Sequence, residues 1–257
     1  MPMTARLRST ALLLCGLLCV LLGSAVQARE LLAVGTQFPR VLELDSKGLA
    51  RGMAVDLLNR AAAQQGHSLR FEVLPWARAQ LMVEQGQADV LIGPYRSPER
   101  LGRFLFSQLA FYEDALVFYA SPAKAELWRG DWNSLSGRSV GLVLGWAYGE
   151  AVEQARSKLQ ISNPGDVATG LRMLQRGRIE LLASNERNTT PVLETLGLTQ
   201  QFVPLQPPIA VQAGHFAYPR NAQGEALRLD LDRSLETLRS TGVLRELGRQ
   251  WGVRVPD

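Results

Sequence analysis

The apolar positions after residue 28 alternate between two rhythms. Leu31–Gly35, Leu69–Leu74 and Val90–Ile92 are short apolar or alternating runs and predict strands. Between them, Val55, Leu58, Ala61 and Ala62 fall at helical spacing, and Gly66 ends that helix as a residue able to take left-handed backbone. Ala77–Gln85 predicts a second helix. Val41–Leu44 and Leu49–Gly52 flank Asp45-Ser46-Lys47-Gly48, which predicts a hairpin turn. This alternation predicts an α/β architecture with mostly parallel strands.

One stretch repeats. Met82-Val83-Glu84-Gln85-Gly86-Gln87-Ala88-Asp89-Val90-Leu91-Ile92-Gly93 is similar to Met173-Leu174-Gln175-Arg176-Gly177-Arg178-Ile179-Glu180-Leu181-Leu182-Ala183-Ser184. Each is a helix end, a Gly, an acid and an apolar strand. A weaker echo pairs Ala33-Val34-Gly35 with Ser139-Val140-Gly141. Helix–Gly–strand is common in any α/β protein, but two echoes in the same order predict two similar lobes. Leu116–Ala120 is strand-like, as are Ile209–Ala213 and Phe216–Tyr218 around Gly214, and Glu225–Trp251 is helical with a break at Gly242. The layout that follows has lobe one at 29–114 plus 215–257 and lobe two at 115–214. Two extended crossings join them and can hinge.

The first 28 residues read as an address. Arg6 and Arg8 precede the twelve-residue apolar run Ala11–Leu22, and small residues follow up to Ala28. This is the pattern of a secretory signal peptide cut after Ala28, and it predicts a periplasmic protein. Twelve helical residues reach only ~18 Å into a ~30 Å hydrocarbon core, too short for an anchor. Cys15 and Cys19 both lie in this segment, so the remainder offers no disulfide, thiol nucleophile or thiolate metal site. Removing the two arginines from the 28 basic side chains leaves 26 against 24 acids, well interspersed. No basic tract tracks a phosphate backbone, which argues against a nucleic-acid partner.

In open α/β sheets ligands bind outside the carboxyl ends of strands. Here those ends are Thr36-Gln37-Phe38, Pro75-Trp76, Gly93-Pro94-Tyr95, Gly145-Trp146-Ala147-Tyr148 and Ser184-Asn185-Glu186. Four of the five carry an aromatic residue in a chain that is only 7% aromatic, which suits the wall of a small-molecule cleft. Ordinary core packing is the competing reading for each ring. Ser97-Pro98-Glu99-Arg100 opens a short helix, and an arginine there can grip a carboxylate with two parallel hydrogen bonds. In a chain this rich in arginine, a structural ion pair competes with that reading. His67 and His215 stand in no metal-ligand spacing, and no Gly-x-Ser-x-Gly elbow is present. These residues favour binding over catalysis, with no cofactor and no metal.

Taken in order, Leu32-Ala33-Val34-Gly35-Thr36, Gly52-Met53-Ala54-Val55-Asp56-Leu57-Leu58, Pro75-Trp76-Ala77-Arg78, Gly86-Gln87-Ala88-Asp89, Pro98-Glu99-Arg100, Phe106-Ser107, Ser240-Thr241-Gly242 and Trp251-Gly252 resemble the family 3 bacterial extracellular solute-binding proteins. The resemblance implies a two-lobed, type II periplasmic-binding-protein-like fold with a hinge of two crossing strands. It also implies a small polar, carboxylate-bearing solute, an inner-membrane ABC permease as partner, and a monomer. Arg100 matches the arginine that holds the ligand's α-carboxylate in this family. Phe38 matches the covering aromatic, with backbone near Gly93 and Tyr95 contributing. Gly145–Tyr148 matches the anion-binding loop of lobe two, with Trp146 and Ala147 where many members hold Thr. Trp76, Trp146 and Tyr148 complete the expected walls.

Two departures stand out. The family's Asp for the ligand's α-ammonium falls at Asn185, expected here as a neutral polar contact, with Glu186 a substitute only if it turns inward. Met53-Ala54 replaces an aromatic–acidic pair. The scaffold leaves two alternatives. One is an enzyme resembling cyclohexadienyl dehydratase, whose general-acid Glu falls near Asn188. The other is a module that reports solute occupancy to a membrane kinase.

Overall fold

The computed structural model describes residues 29–256; the expected signal segment with Cys15 and Cys19, and its cleavage point, lie outside the described residues. β1 (Glu30–Gly35) pairs in parallel with β4 (Ser68–Val73) on one side and β5 (Val90–Tyr95) on the other. The hairpin forms where the turn residues place it. β2 (Glu43–Leu44) pairs antiparallel with β3 (Ala50–Arg51), and Asp45 Oδ1 accepts from the N–H groups of Lys47 and Leu49. α1 (Met53–Gln64) buries Val55, Leu58, Ala61 and Ala62, and Gly66 follows with φ 74°. α2 (Trp76–Glu84) begins one residue earlier than the sequence pattern suggests, directly after Pro75.

The second half repeats the plan. β8 (Ser139–Leu142) pairs in parallel with β9 (Gln160–Ser162) and with β10 (Leu181–Asn185). α5 (Val167–Gln175) ends before Gly177, as α2 ends before Gly86. The echoed acids explain why the repeat is visible. Asp89 donates its N–H to the Leu32 carbonyl and accepts the Leu32 N–H on Oδ2, both at 2.8 Å. Glu180 donates to the Ser139 carbonyl at 2.8 Å and accepts the Ser139 N–H at 3.3 Å. In both halves the acid locks the start of one strand to its parallel neighbour. Each also meets a cation from the residue preceding the neighbour strand, Arg29 or Arg138.

Two long strands join the halves. β7 (Tyr112–Ala120) and β12 (Ala210–Pro219) pair antiparallel from Leu116 with Ala210 to Tyr112 with Gly214. β12 then continues along β5, and the far end of β7 pairs with β10. The strand order is β4-β1-β5-β12-β7-β10-β8-β9, with β6 (Phe104–Phe106) on β12 and β11 (Val203–Pro204) on β7. The sheet is thus parallel within each half and antiparallel at the crossings. The two runs expected around Gly214 are one strand with a register shift between Gly214 and Phe216. A Cβ at Gly214 would lie 1.8 Å from the Tyr112 ring, so only glycine lets the crossings approach.

The buried apolar side chains separate in the same way. One set joins Leu31, Leu57, Ile92 and Phe111 to Phe216, Leu231 and Leu247. Another joins Leu116, Phe118, Trp128 and Leu142 to Leu181 and Ile209. The C-terminal helical stretch closes the first set as α7 (Ala222–Ser240) and α8 (Val243–Trp251), broken at Gly242 with φ 81°. Among the described residues no helix is long and apolar enough to cross a membrane.

Candidate binding cleft

The cleft lies beside the crossings, at the carboxyl ends of β1 and β5. α3 (Pro98–Arg103) brings the first charged group to it. Ser97 caps this helix by accepting the Arg100 N–H at 3.3 Å, and Pro98 occupies the first turn. Arg100 is 6% exposed. Its Nη1 donates to the Tyr95 carbonyl at 3.0 Å and its Nη2 crosses the cleft to the Gly145 carbonyl at 2.8 Å. Burial lowers the Arg100 pKa, but a guanidinium stays charged across the working pH range. The Trp76 ring lies 5.5 Å from the guanidinium, and its Nε1–H donates to the same Gly145 carbonyl at 3.2 Å. Phe38 meets Trp76 edge-on at 5.6 Å.

These groups surround a narrow cavity of about 20 Å³ lined by Phe38, Trp76, Gly93, Tyr95, Arg100, Tyr112, Trp146, Ala147 and Asn188. The structure therefore brings together six of the residues singled out from sequence: Phe38, Trp76, Gly93, Tyr95, Arg100 and Trp146. Gly93 has φ 81°, and a Cβ there would crowd the Tyr112 hydroxyl and the Phe38 ring at 3.1 and 3.2 Å. Its missing side chain keeps the floor open.

The other three, Gly145, Tyr148 and Asn185, do not line it. Gly145 and Tyr148 line a wider groove of about 880 Å³ that runs on from Arg100, Trp146 and Ala147. The Tyr148 side chain is buried, and its hydroxyl accepts the Val143 N–H at 2.7 Å and donates to the Ala183 carbonyl at 3.2 Å. It anchors the loop rather than facing the cavity. Burial pushes its pKa up, so it stays protonated. Asn185 caps α6 (Glu186–Leu196). Its Oδ1 accepts from both the backbone N–H and the side-chain amide of Asn188 at 2.9 Å, and its own amide donates to the Tyr95 hydroxyl at 3.4 Å. Those bonds use the group expected to contact a ligand, and Asn185 does not line the cavity. Glu186 is exposed.

Sequence reasoning missed the most tightly bonded group in the cleft. Arg187, on α6, places Nε 3.0 Å from Asp114 Oδ1 and Nη2 2.5 Å from Oδ2, a bidentate pair in which both residues are buried. Nη1 donates to the Pro39 carbonyl at 3.0 Å, tying lobe two to the loop after β1. Tyr95 donates to Asp114 Oδ2 at 2.6 Å. Burial alone would lower the Arg187 pKa, but the Asp114 charge outweighs it and the pKa is raised. Burial and the nearby Asp114 charge push the Tyr95 pKa up. Two signals in the sequence pointed here. Tyr112, Asp114 and Leu116 share the inward phase of β7, which puts a carboxylate among core positions. Arg187 stands in the first turn of a helix, where the dipole disfavours a cation unless it has a partner.

Known proteins repeat this architecture. The structure is similar to a histidine kinase sensor domain related to periplasmic binding proteins, at 22% identity and TM-score 0.78, over 90% of this chain and 99% of that one. It is similar to a mutant of the arginine-binding protein from T. maritima, at 17% identity and TM-score 0.70, over 86% and 94% of the two chains. It is also similar to an ABC uptake transporter substrate-binding protein from Streptococcus pneumoniae with bound histidine, at 15% identity and TM-score 0.71, over 86% and 92%. No curated protein sequence matches the chain significantly. These likenesses give the fold as type II periplasmic-binding-protein-like. The family model for bacterial extracellular solute-binding proteins, family 3, matches residues 32–254, from the first strand to beyond the last helix, and the chain belongs to that family.

Proposed function

We propose that this protein captures a small, carboxylate-bearing solute between its lobes and presents it to an inner-membrane ABC permease. The bodies that close are residues 29–114 with 215–257 and residues 115–214. The observation that carries this reading is Arg100: a buried guanidinium at a cavity wall, hydrogen-bonded to two backbone carbonyls and not to a carboxylate. A solute carboxylate offers it a stronger, charge-assisted acceptor than a carbonyl does. Binding without turnover is the reading we favour. The ionisable groups lining the cavity are Arg100, Tyr95 and Tyr112, and burial holds both tyrosine hydroxyls protonated. At Asn188, the position expected for a dehydratase acid, stands an amide that cannot donate a catalytic proton.

A thermal-shift panel of small carboxylates, amino acids included, tests this. Hits should stabilise the unaltered protein and lose their effect on Arg100→Met. Equal stabilisation of both proteins overturns the site. The similarity to a histidine kinase sensor domain supports a second reading, in which the same closure signals to a membrane kinase. Co-purification of a kinase rather than a permease with the membrane-associated protein would select it.

A further inference from the structure

The charges around the cavity point to what the solute lacks. Among the described residues that line it, Arg100 is the one fixed charge and none is Asp or Glu. The buried carboxylate nearby, Asp114, is engaged on both oxygens by Arg187 and on one by Tyr95. The amides of Asn185 and Asn188 bond to each other. A ligand ammonium in this cavity would find only neutral oxygens, with the Arg100 guanidinium beside it. A carboxylate alone neutralises Arg100, whereas a zwitterion brings in one further positive charge that stays unpaired in a buried site. Five of the nine lining residues are aromatic, which favours a flat or apolar body over a polar side chain.

We infer that the cavity selects a small monocarboxylic acid with a flat or apolar body and no charged amine, and discriminates against the α-amino acid of the same skeleton. The inference rests on the reading of this cavity as a solute site.

Calorimetric titration with matched pairs tests it: 3-phenylpropanoate against phenylalanine, and 4-methylpentanoate against leucine. The acid should bind about tenfold or more tightly than its amino acid, a gap of about 1.4 kcal/mol or more. Ala147→Asp and Asn188→Asp each add a carboxylate to the wall. Ala147 lies on a half-buried loop, so that variant is the safer of the two for folding. In either, the preference for the acid should shrink about tenfold or reverse. If the amino acids bind the unaltered protein as tightly as the acids, this inference falls while the solute site stands. If no member of the pairs and no carboxylate of the wider panel binds, the solute site falls and the inference with it.

Discussion

Arg100 and Arg187 approach the cleft from opposite lobes, are almost equally buried, and both lie against aromatic rings. Their partners differ. Arg187 is clamped in bidentate fashion on Asp114, while Arg100 spends its N–H groups on two carbonyls. Burial therefore does not distinguish the two cations; the carboxylate present in one hydrogen-bond set and absent from the other does. A guanidinium already paired gains little from a second anion, whereas one resting on carbonyls gains a charge.

The largest test of that contrast is to break the pair. Asp114→Asn strands a buried guanidinium and should lower the unfolding free energy by about 3–5 kcal/mol in urea melts. Asp114→Leu combined with Arg187→Met should recover most of the loss, because two apolar groups leave no charge unpaired. A mild effect of Asp114→Asn would make the two arginines equivalent and remove the contrast.

Acid provides the next test, by creating a third buried cation. His215, on β12 at the register shift, places Nδ1 3.1 Å from the Ser107 carbonyl, and that carbonyl also accepts from Arg96 at 2.7 Å. Burial and the Arg96 charge lower its pKa from 6.5 to about 4. The unfolded chain therefore takes up this proton first as the pH falls. The His215 contribution is complete above about pH 6.5 and is lost progressively toward pH 4, by up to about 3 kcal/mol. His215→Asn should flatten this part of the stability–pH curve, measured by denaturant midpoints across the range. An unchanged slope would mean that His215 charges without penalty.

Arg100→Met should weaken binding of the tightest carboxylate about 10- to 100-fold by calorimetry, the worth of a hydrogen bond to a charged group. Its effect on unfolding should be far smaller than that of Asp114→Asn. A collapse in stability instead would place Arg100 in the same structural class as Arg187. The smallest effect belongs to Asn185→Ala, which removes the α6 cap and should cost about 1 kcal/mol in stability.

What was legible in the sequence was local. Asp45-Ser46-Lys47-Gly48 carries its own turn chemistry, Ser97-Pro98 its own cap, and Gly66 and Gly242 their own left-handed backbone. The Asp89 and Glu180 echoes were legible because each lobe uses the same short device to lock neighbouring strands. The helix that presents Arg100 was legible for a similar reason, since its own first turn fixes it, whereas the arginine itself was singled out by the family resemblance. The Arg187–Asp114 pair joins residues 73 apart, and no local preference announces such a partner. Asn185 and Tyr148 were expected to line the cleft, but their side chains are taken up by hydrogen bonds to Asn188, Val143 and Ala183 that only the folded chain brings together.

The Gly145 carbonyl receives an N–H from Trp76 and another from Arg100, and both donors belong to the opposite lobe. An anion that takes this Nη2 hydrogen bond displaces the Gly145 oxygen, so the protein carries its own competitor for that donor. Affinity then reports an exchange between two acceptors, not a simple gain. Substitutions at Tyr148, which anchors this loop from outside the cavity, would shift the Gly145 carbonyl and so that exchange without removing an atom that lines the cavity.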